Sequence, residues 1–259
     1  MYDFNISVAG YVMRIKTTYP NVYLMCQDYL VDRLPDLHIY INEKDIAFER
    51  AEATRLGSSP TDGYLETLAV YRRISEMLLQ YNVFLMHGAV VSVDEKAYMF
   101  TASSGTGKTT HVNKWIERID NAIVINGDKP LIKVTDNSVI VCGTPWSGKE
   151  QLQTNKMVPL DSIVLMQRGE DNQIVEITYN QAFVFLLQQT YRPKDPLKMK
   201  KTLDLLCALN GRVRFFRFTF NNYKENSFDI AYQALVKGGR GQVPMQSTHH
   251  QLNHFRSSL

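Results

Sequence analysis

Residues 100–111 read FTASSGTGKTTH. The second half, GTGKTT, has the form of a loop that wraps phosphate. Two glycines let backbone amides close on an anion, and a lysine and a hydroxyl residue follow. The usual pattern G-x-x-x-x-G-K-[ST] opens on a glycine where this chain has Ala102. Alanine is tolerated at a strand exit while φ stays negative, and the cradling amides lie downstream of it. A G-K-[ST] triplet arises by chance in about one chain in ten of this length, so the flanks decide. Before it, 97–101 reads as a buried strand; after it, Val112, Trp115, Ile116 and Ile119 fall on one helical face. Strand, glycine loop and helix N-terminus come in the order that phosphate binding requires. Ser104, Gly105, Thr106, Gly107, Lys108, Thr109 and Thr110 are therefore expected to hold ATP. Lys108 would reach the β- and γ-phosphates and the Thr109 hydroxyl would hold Mg²⁺. Trp115 is expected in the core.

Outward from the loop, 122–126 reads as a buried strand ending in NGDKP. Asp128 there stands where nucleotide-binding folds put a metal-holding carboxylate, although N-G-D is also ordinary turn chemistry. Upstream, 84–93 reads as one buried strand containing His87-Gly88. A histidine in that setting fits a hydrogen-bonded core residue or a site residue. Residues 143–150, GTPWSGKE, make a shaped loop. Either it borders a substrate, with Trp146, Ser147, Lys149 and Glu150 at the contact, or Trp146 plugs the core beneath a tight turn. Arg192 fits a phosphate or substrate contact or a solvated surface.

The 259 residues suit one large domain, or one domain with an appended lobe. The turn cluster GSSP at 57–60 sets the expected division: a β-rich lobe over 1–60, a core over 61–240 and a loose tail over 241–259. In the first part Ile6, Val8, Tyr11, Met13 and Ile15 suggest strands bent at Gly10, and 37–41 another strand. Helices are expected over 65–79, 181–189, 198–209 and 229–237. A hairpin is expected over 131–142 and strands over 162–166 and 212–220. The net charge of +3, without basic residues interleaved with aromatics, speaks against nucleic acid. Three cysteines without metal-ligand spacing suit a reduced compartment. No segment reads as a signal peptide or membrane span, so a cytoplasmic protein without a membrane partner is expected.

From His87 to Glu150 the chain resembles the HPr kinase/phosphorylase-like family and, more distantly, the ATP-dependent phosphoenolpyruvate carboxykinases. The resemblance rests on His-Gly one hairpin before SGTGKTT, on NGDKP after it, and on GTPWSGKE. It implies an α/β fold: a P-loop kinase core of mixed β-sheet flanked by helices, with a small N-terminal β-rich lobe. It also implies an ATP- and Mg²⁺-dependent kinase acting on a hydroxyl, a serine of a peptide or small protein, and leaves homo-oligomerisation open. Asp128, His87, Lys108 and Glu150 would then be catalytic, and Thr109 with Asp128 would hold the metal. Two departures matter. The family's acid pair becomes Gly127-Asp128, and its glycine-arginine phosphorylase signature is missing. The alternatives are a nucleotide-binding regulatory module without full catalysis and a kinase of a free small molecule such as an amino acid.

Overall fold

The computed structural model describes residues 1–221 and 226–238. The chain opens with an antiparallel hairpin, β1 (Tyr2–Val8) and β2 (Tyr11–Thr17), which turns through Ala9 and Gly10, both at positive φ. After the short helix α1 (Asn21–Met25), β3 (Leu37–Tyr40) joins β2 in parallel and completes a three-stranded sheet. Two helices follow, α2 (Glu43–Arg55) and α3 (Asp62–Leu78).

Helix α2 lies where the sequence suggested only a β-rich region. Its buried residues are Asp45, Glu49 and Ala53, so it has no apolar stripe to betray its period. The buried face is ionic instead. Arg72 of α3 reaches Glu49 at 2.6 Å and Asp45 at 3.1 Å, and Arg73 reaches Asp45 at 2.7 Å. The local signal was the capping box, in which Asn42 accepts from the Asp45 amide and Asp45 accepts from that of Asn42.

A nine-stranded mixed sheet forms the rest. Its strands are β4 (Val83–Leu85), β5 (Ala89–Val93), β6 (Lys96–Thr101), β7 (Ile123–Asn126), β8 (Leu131–Val134) and β9 (Val139–Cys142), then β10 (Met157–Arg168), β11 (Gln173–Ile177) and β12 (Arg214–Phe220). Between them run α4 (Lys108–Arg118), α5 (Tyr179–Gln189) and α6 (Pro196–Cys207). After β12 comes α7 (Ser227–Tyr232), continued by a π-helical turn over Gln233–Lys237. The long strand β10 unites the sheet: its start pairs with β9, and its remainder pairs in parallel with both β6 and β12. The expected tail over 241–259 lies outside the described residues. Among the described residues no helix is long and apolar enough to cross a membrane.

Alternating side chains of the central strands feed two cores. Met99, Ile163 and Phe215 pack with Ala182 and Leu186 of α5 and Leu205 and Leu206 of α6. Phe100, Val164 and Phe216 pack with Val112 and Trp115 of α4 and Phe228 and Ala231 of α7. A third cluster joins Ile6, Met13 and Ile15 of the small sheet to Val70 and Ile74 of α3 and to Leu131 and Cys142 of the large one. The expected single strand over 84–93 is two. The backbone leaves the ladder at 86–88, where the His87 amide donates to Gln189 O at 2.7 Å and the Gly88 amide to Asp128 O at 2.9 Å.

Trp115 is fully buried, as its place on the helical stripe implies. Its indole N–H donates to His111 Nε2 at 3.2 Å, so that nitrogen carries a lone pair and the buried ring is neutral. Burial, helped by Lys114, pushes the His111 pKa down to about 3. The unfolded chain takes up this proton near pH ~6.5. Stability is therefore undiminished by this group above that pH and falls as the pH drops from there toward the folded value. His111→Gln keeps an acceptor for the indole and removes the titration. Urea unfolding followed from neutral pH to pH ~4 should show the wild type losing up to about 1.4 kcal/mol per pH unit more than this variant.

Candidate functional site

Strand direction gathers the site. β6, β10 and β12 are parallel, and β5 is antiparallel to both β6 and β7. The ends of β6, β7 and β10 and the start of β5 thus lie along one edge of the sheet. In open α/β sheets that carboxyl edge is where ligands bind. The 102–107 loop leaves β6 there, Asp128 follows β7, Arg168 ends β10 and His87 precedes β5.

Ala102 is fully buried against Phe100 and Val112 and is not among the residues with positive φ, so the alanine is accommodated without strain. Gly105 and Gly107 do adopt positive φ, 74° and 118°, where only glycine is at ease. Gly107 is the N-cap of α4, and no side chain caps that helix. Its first-turn amides therefore face the cavity without a side-chain acceptor. The Lys108 ammonium, mostly buried, donates to Ala102 O at 3.0 Å. Burial lowers its pKa, and the carboxylate of Asp128 opposes that shift.

These groups line a cavity of about 830 Å³. Ser104, Gly105, Gly107, Lys108, Thr109 and Thr110 all line it, and so do His87, Asp128, Ser147, Lys149 and Glu150. Thr106 does not: its hydroxyl and amide both turn to Ser103 O, at 2.8 and 3.3 Å. Arg192 also lies outside the lining, as an exposed residue. Trp146 is largely buried, stacked on Tyr71 at 4.4 Å, with its indole N–H on Thr67 O at 3.0 Å. Trp146 thus anchors the GTPWSGKE loop in the core, and it and its neighbours line the cavity. A smaller cavity of about 420 Å³ beside Tyr179 and Arg214 contains none of the residues singled out in the sequence.

Asp128 is the junction of the site. Its Oδ1 lies 3.2 Å from His87 Nε2, and its Oδ2 accepts from the Lys129 ammonium. Burial alone would raise its pKa, but the hydrogen bond from His87 and the charge of Lys129 outweigh it and hold the carboxyl at about 2. His87 is itself braced, with Nδ1 2.9 Å from Gln189 Oε1 and its carbonyl accepting from Thr101 Oγ1 at 2.7 Å.

Three supporting residues escaped the sequence reading. Asn126 is fully buried; its Oδ1 accepts from the amides of Asp128 (2.9 Å) and Lys129 (2.7 Å), and its Nδ2 donates to Thr144. Arg168 donates to Gly105 O at 2.9 Å and pins the loop from outside. Lys129 puts a second ammonium into the cavity. Arg168 acts on a partner 63 positions away and left no local signal, whereas Asn126 caps the turn two and three residues on and Lys129 sits beside Asp128, so both lay within the NGDKP stretch.

The donor set suits Mg²⁺ held by few protein ligands. One carboxylate, Asp128, and one hydroxyl, Thr109, are hard oxygen donors, and Mg²⁺ commonly completes its shell with phosphate oxygens and water. Among the described residues no group of three or more His, Cys, Asp or Glu could form a protein-only metal cage.

Gly127 stands in a place with no room for a side chain. A Cβ there would lie 2.8 Å from Ser147 O, and the Gly127 amide donates to Leu152 O at 2.9 Å. The backbone of the GTPWSGKE loop occupies the space that a side chain would need. Gly127→Ala should therefore destabilise the protein by about 1–3 kcal/mol in urea unfolding, and Gly127→Asp by at least as much. A neutral effect of the alanine variant would show that the loop yields.

No family model matches the chain, and no curated protein matches it. Among solved structures, the fold is similar to that of the Hpr(Ser) kinase/phosphatase from Coxiella burnetii. The two are 12% identical, with 60% of this chain and 90% of that one covered and a TM-score of 0.35. That likeness is too distant to assign an activity to this chain.

Proposed function

We propose that this protein is an ATP- and Mg²⁺-dependent phosphotransferase that moves the γ-phosphate to a hydroxyl, a serine of a peptide or small protein. The observation that carries the proposal is the meeting of three chain segments in one cavity: the glycine loop with Lys108, the His87–Asp128 pair, and the 147–150 loop. The loop amides, the α4 N-terminus and Lys108 bind the triphosphate. Thr109 and Asp128 hold Mg²⁺, which supplies neutralisation of the phosphate oxygens.

The transition state of phosphoryl transfer is loose, so positioning and charge outweigh bond-making to the nucleophile. That favours an Asp128 kept ionised by His87 and Lys129 over one tuned as a strong base. His87 orients the carboxylate through Nε2 while Gln189 holds the ring. Glu150, Lys149 and Ser147 border the acceptor side, where Tyr64 and Leu68 of α3 extend the wall outward. A general base contributes about 10²–10⁴-fold, so its absence slows such an enzyme without disabling its electrostatics.

Gly127 favours a second reading, a nucleotide-binding regulatory module that does not complete transfer, because the acid missing there has no space to be restored. Transfer from γ-labelled ATP to serine-containing peptides separates the two. Under the proposal Lys108→Ala and Asp128→Ala each lower transfer by about 10²–10³-fold or more. Full activity in both variants would remove the assignment. Tight nucleotide binding with no transfer to any acceptor would establish the regulatory module instead.

A further inference from the structure

Lys108 and Lys129 both line the cavity beside Asp128, and of these two the phosphotransferase reading gives phosphate binding to Lys108 alone. We propose that Lys129 is a second phosphate-binding residue, which occupies the cation position on Asp128 until nucleotide and metal arrive together. This rests on the phosphotransferase reading and deepens it.

Both oxygens of Asp128 are taken. Oδ1 faces His87 Nε2 at 3.2 Å, and Oδ2 accepts from Lys129 Nζ. A dication approaching that carboxylate meets an ammonium already on it, and like charges repel more strongly in a part-buried site than in bulk water. The main chain of Lys129 cannot withdraw. Its amide donates to Asn126 Oδ1 at 2.7 Å, and its carbonyl accepts from Tyr71 at 2.5 Å and Thr144 Oγ1 at 2.8 Å. The side chain can, being 40% exposed and hydrogen-bonded only to Asp128 among the described residues.

A flexible stem on a fixed backbone is suited to swinging a charge between two nearby partners. The second partner is at hand. Lys129 lines the same cavity as Lys108 and the glycine loop, and its charge is felt at Lys108. A polyphosphate in the loop offers Lys129 several anionic oxygens and so frees Asp128 for the metal. The linkage is reciprocal: nucleotide tightens metal binding and metal tightens nucleotide binding. The bare protein would then not take up Mg²⁺ by itself to any great extent.

Lys129→Met keeps the length of the stem and removes the charge, and Lys129→Arg keeps a charge. Isothermal titration calorimetry with Mn²⁺ alone, with ADP alone and with both measures the coupling directly. Lys129→Met should bind Mn²⁺ alone about tenfold more tightly than wild type, and its metal–nucleotide coupling should shrink by a similar factor. Lys129→Arg should keep the weak metal binding of the wild type. Lys129→Gln gives the same test if methionine lowers the unfolding midpoint. Unchanged Mn²⁺ affinity in the neutral variants, in a protein that still binds ADP and transfers phosphate, overturns the role of Lys129 alone. A wild type that binds neither ADP nor Mn²⁺ with ADP overturns the phosphotransferase reading as well.

Discussion

The Asn126 side chain is the bracket on which the site is built. An amide buried without partners costs several kcal/mol, roughly 2–7 by transfer measurements. This one is satisfied on both ends. Its oxygen takes the amides of Asp128 and Lys129, and its nitrogen takes the carbonyl and hydroxyl of Thr144 at 2.9 and 3.0 Å. The first pair of bonds turns the chain sharply after β7, which aims the Asp128 and Lys129 side chains into the cavity. The second pair ties that turn to the base of the 143–152 segment. Once the segment is seated, its backbone covers Gly127, and its own glycines are constrained in turn. A Cβ on Gly143 would meet Thr154 O at 2.0 Å, and Gly148, at φ 85°, passes over Asp128.

The charges of the site follow from that geometry. Lys108 and Lys129 flank Asp128, and His87 supports the carboxylate from the far side. Both ammonium groups are positive and repel, so the one carboxylate shared between them leaves positive charge to spare. Such a surplus at a helix N-terminus is suited to a polyanion. The loop that would receive it is tied at both ends, by Lys108 to Ala102 inside and by Arg168 to Gly105 outside.

Much of this was legible in residues 100–111 and their flanks, because the loop is a local device. The glycines with positive φ, the alanine at the strand exit and the apolar stripe that begins in α4 all lie between residues 102 and 119. The strand that leads into Asp128 was legible for the same reason. Helix α2 was not, since its buried face is ionic and hydrophobic periodicity has nothing to register there. Strand β11, with residues 173–177 only exposed or half-buried, offered equally little contrast. The run over 84–93 looked unbroken because Met86 is as buried as the strands beside it, while its interruption is made by carbonyls of residues 128 and 189.

The sequence by itself determined a glycine loop between a buried strand and an amphipathic helix, with an aspartate at the end of the next strand. Those are short-range matters of backbone freedom and side-chain period. The tertiary structure alone decided that His87 meets Asp128, that Arg168 grips the loop, and that the space a side chain at Gly127 would need is filled by the Ser147 carbonyl. Each of those contacts joins residues 20 to 63 positions apart. They exist because β6, β7 and β10 run the same way and deliver their ends, with the start of β5, to one edge of the sheet. No local pattern encodes that delivery; the pairing of strands does.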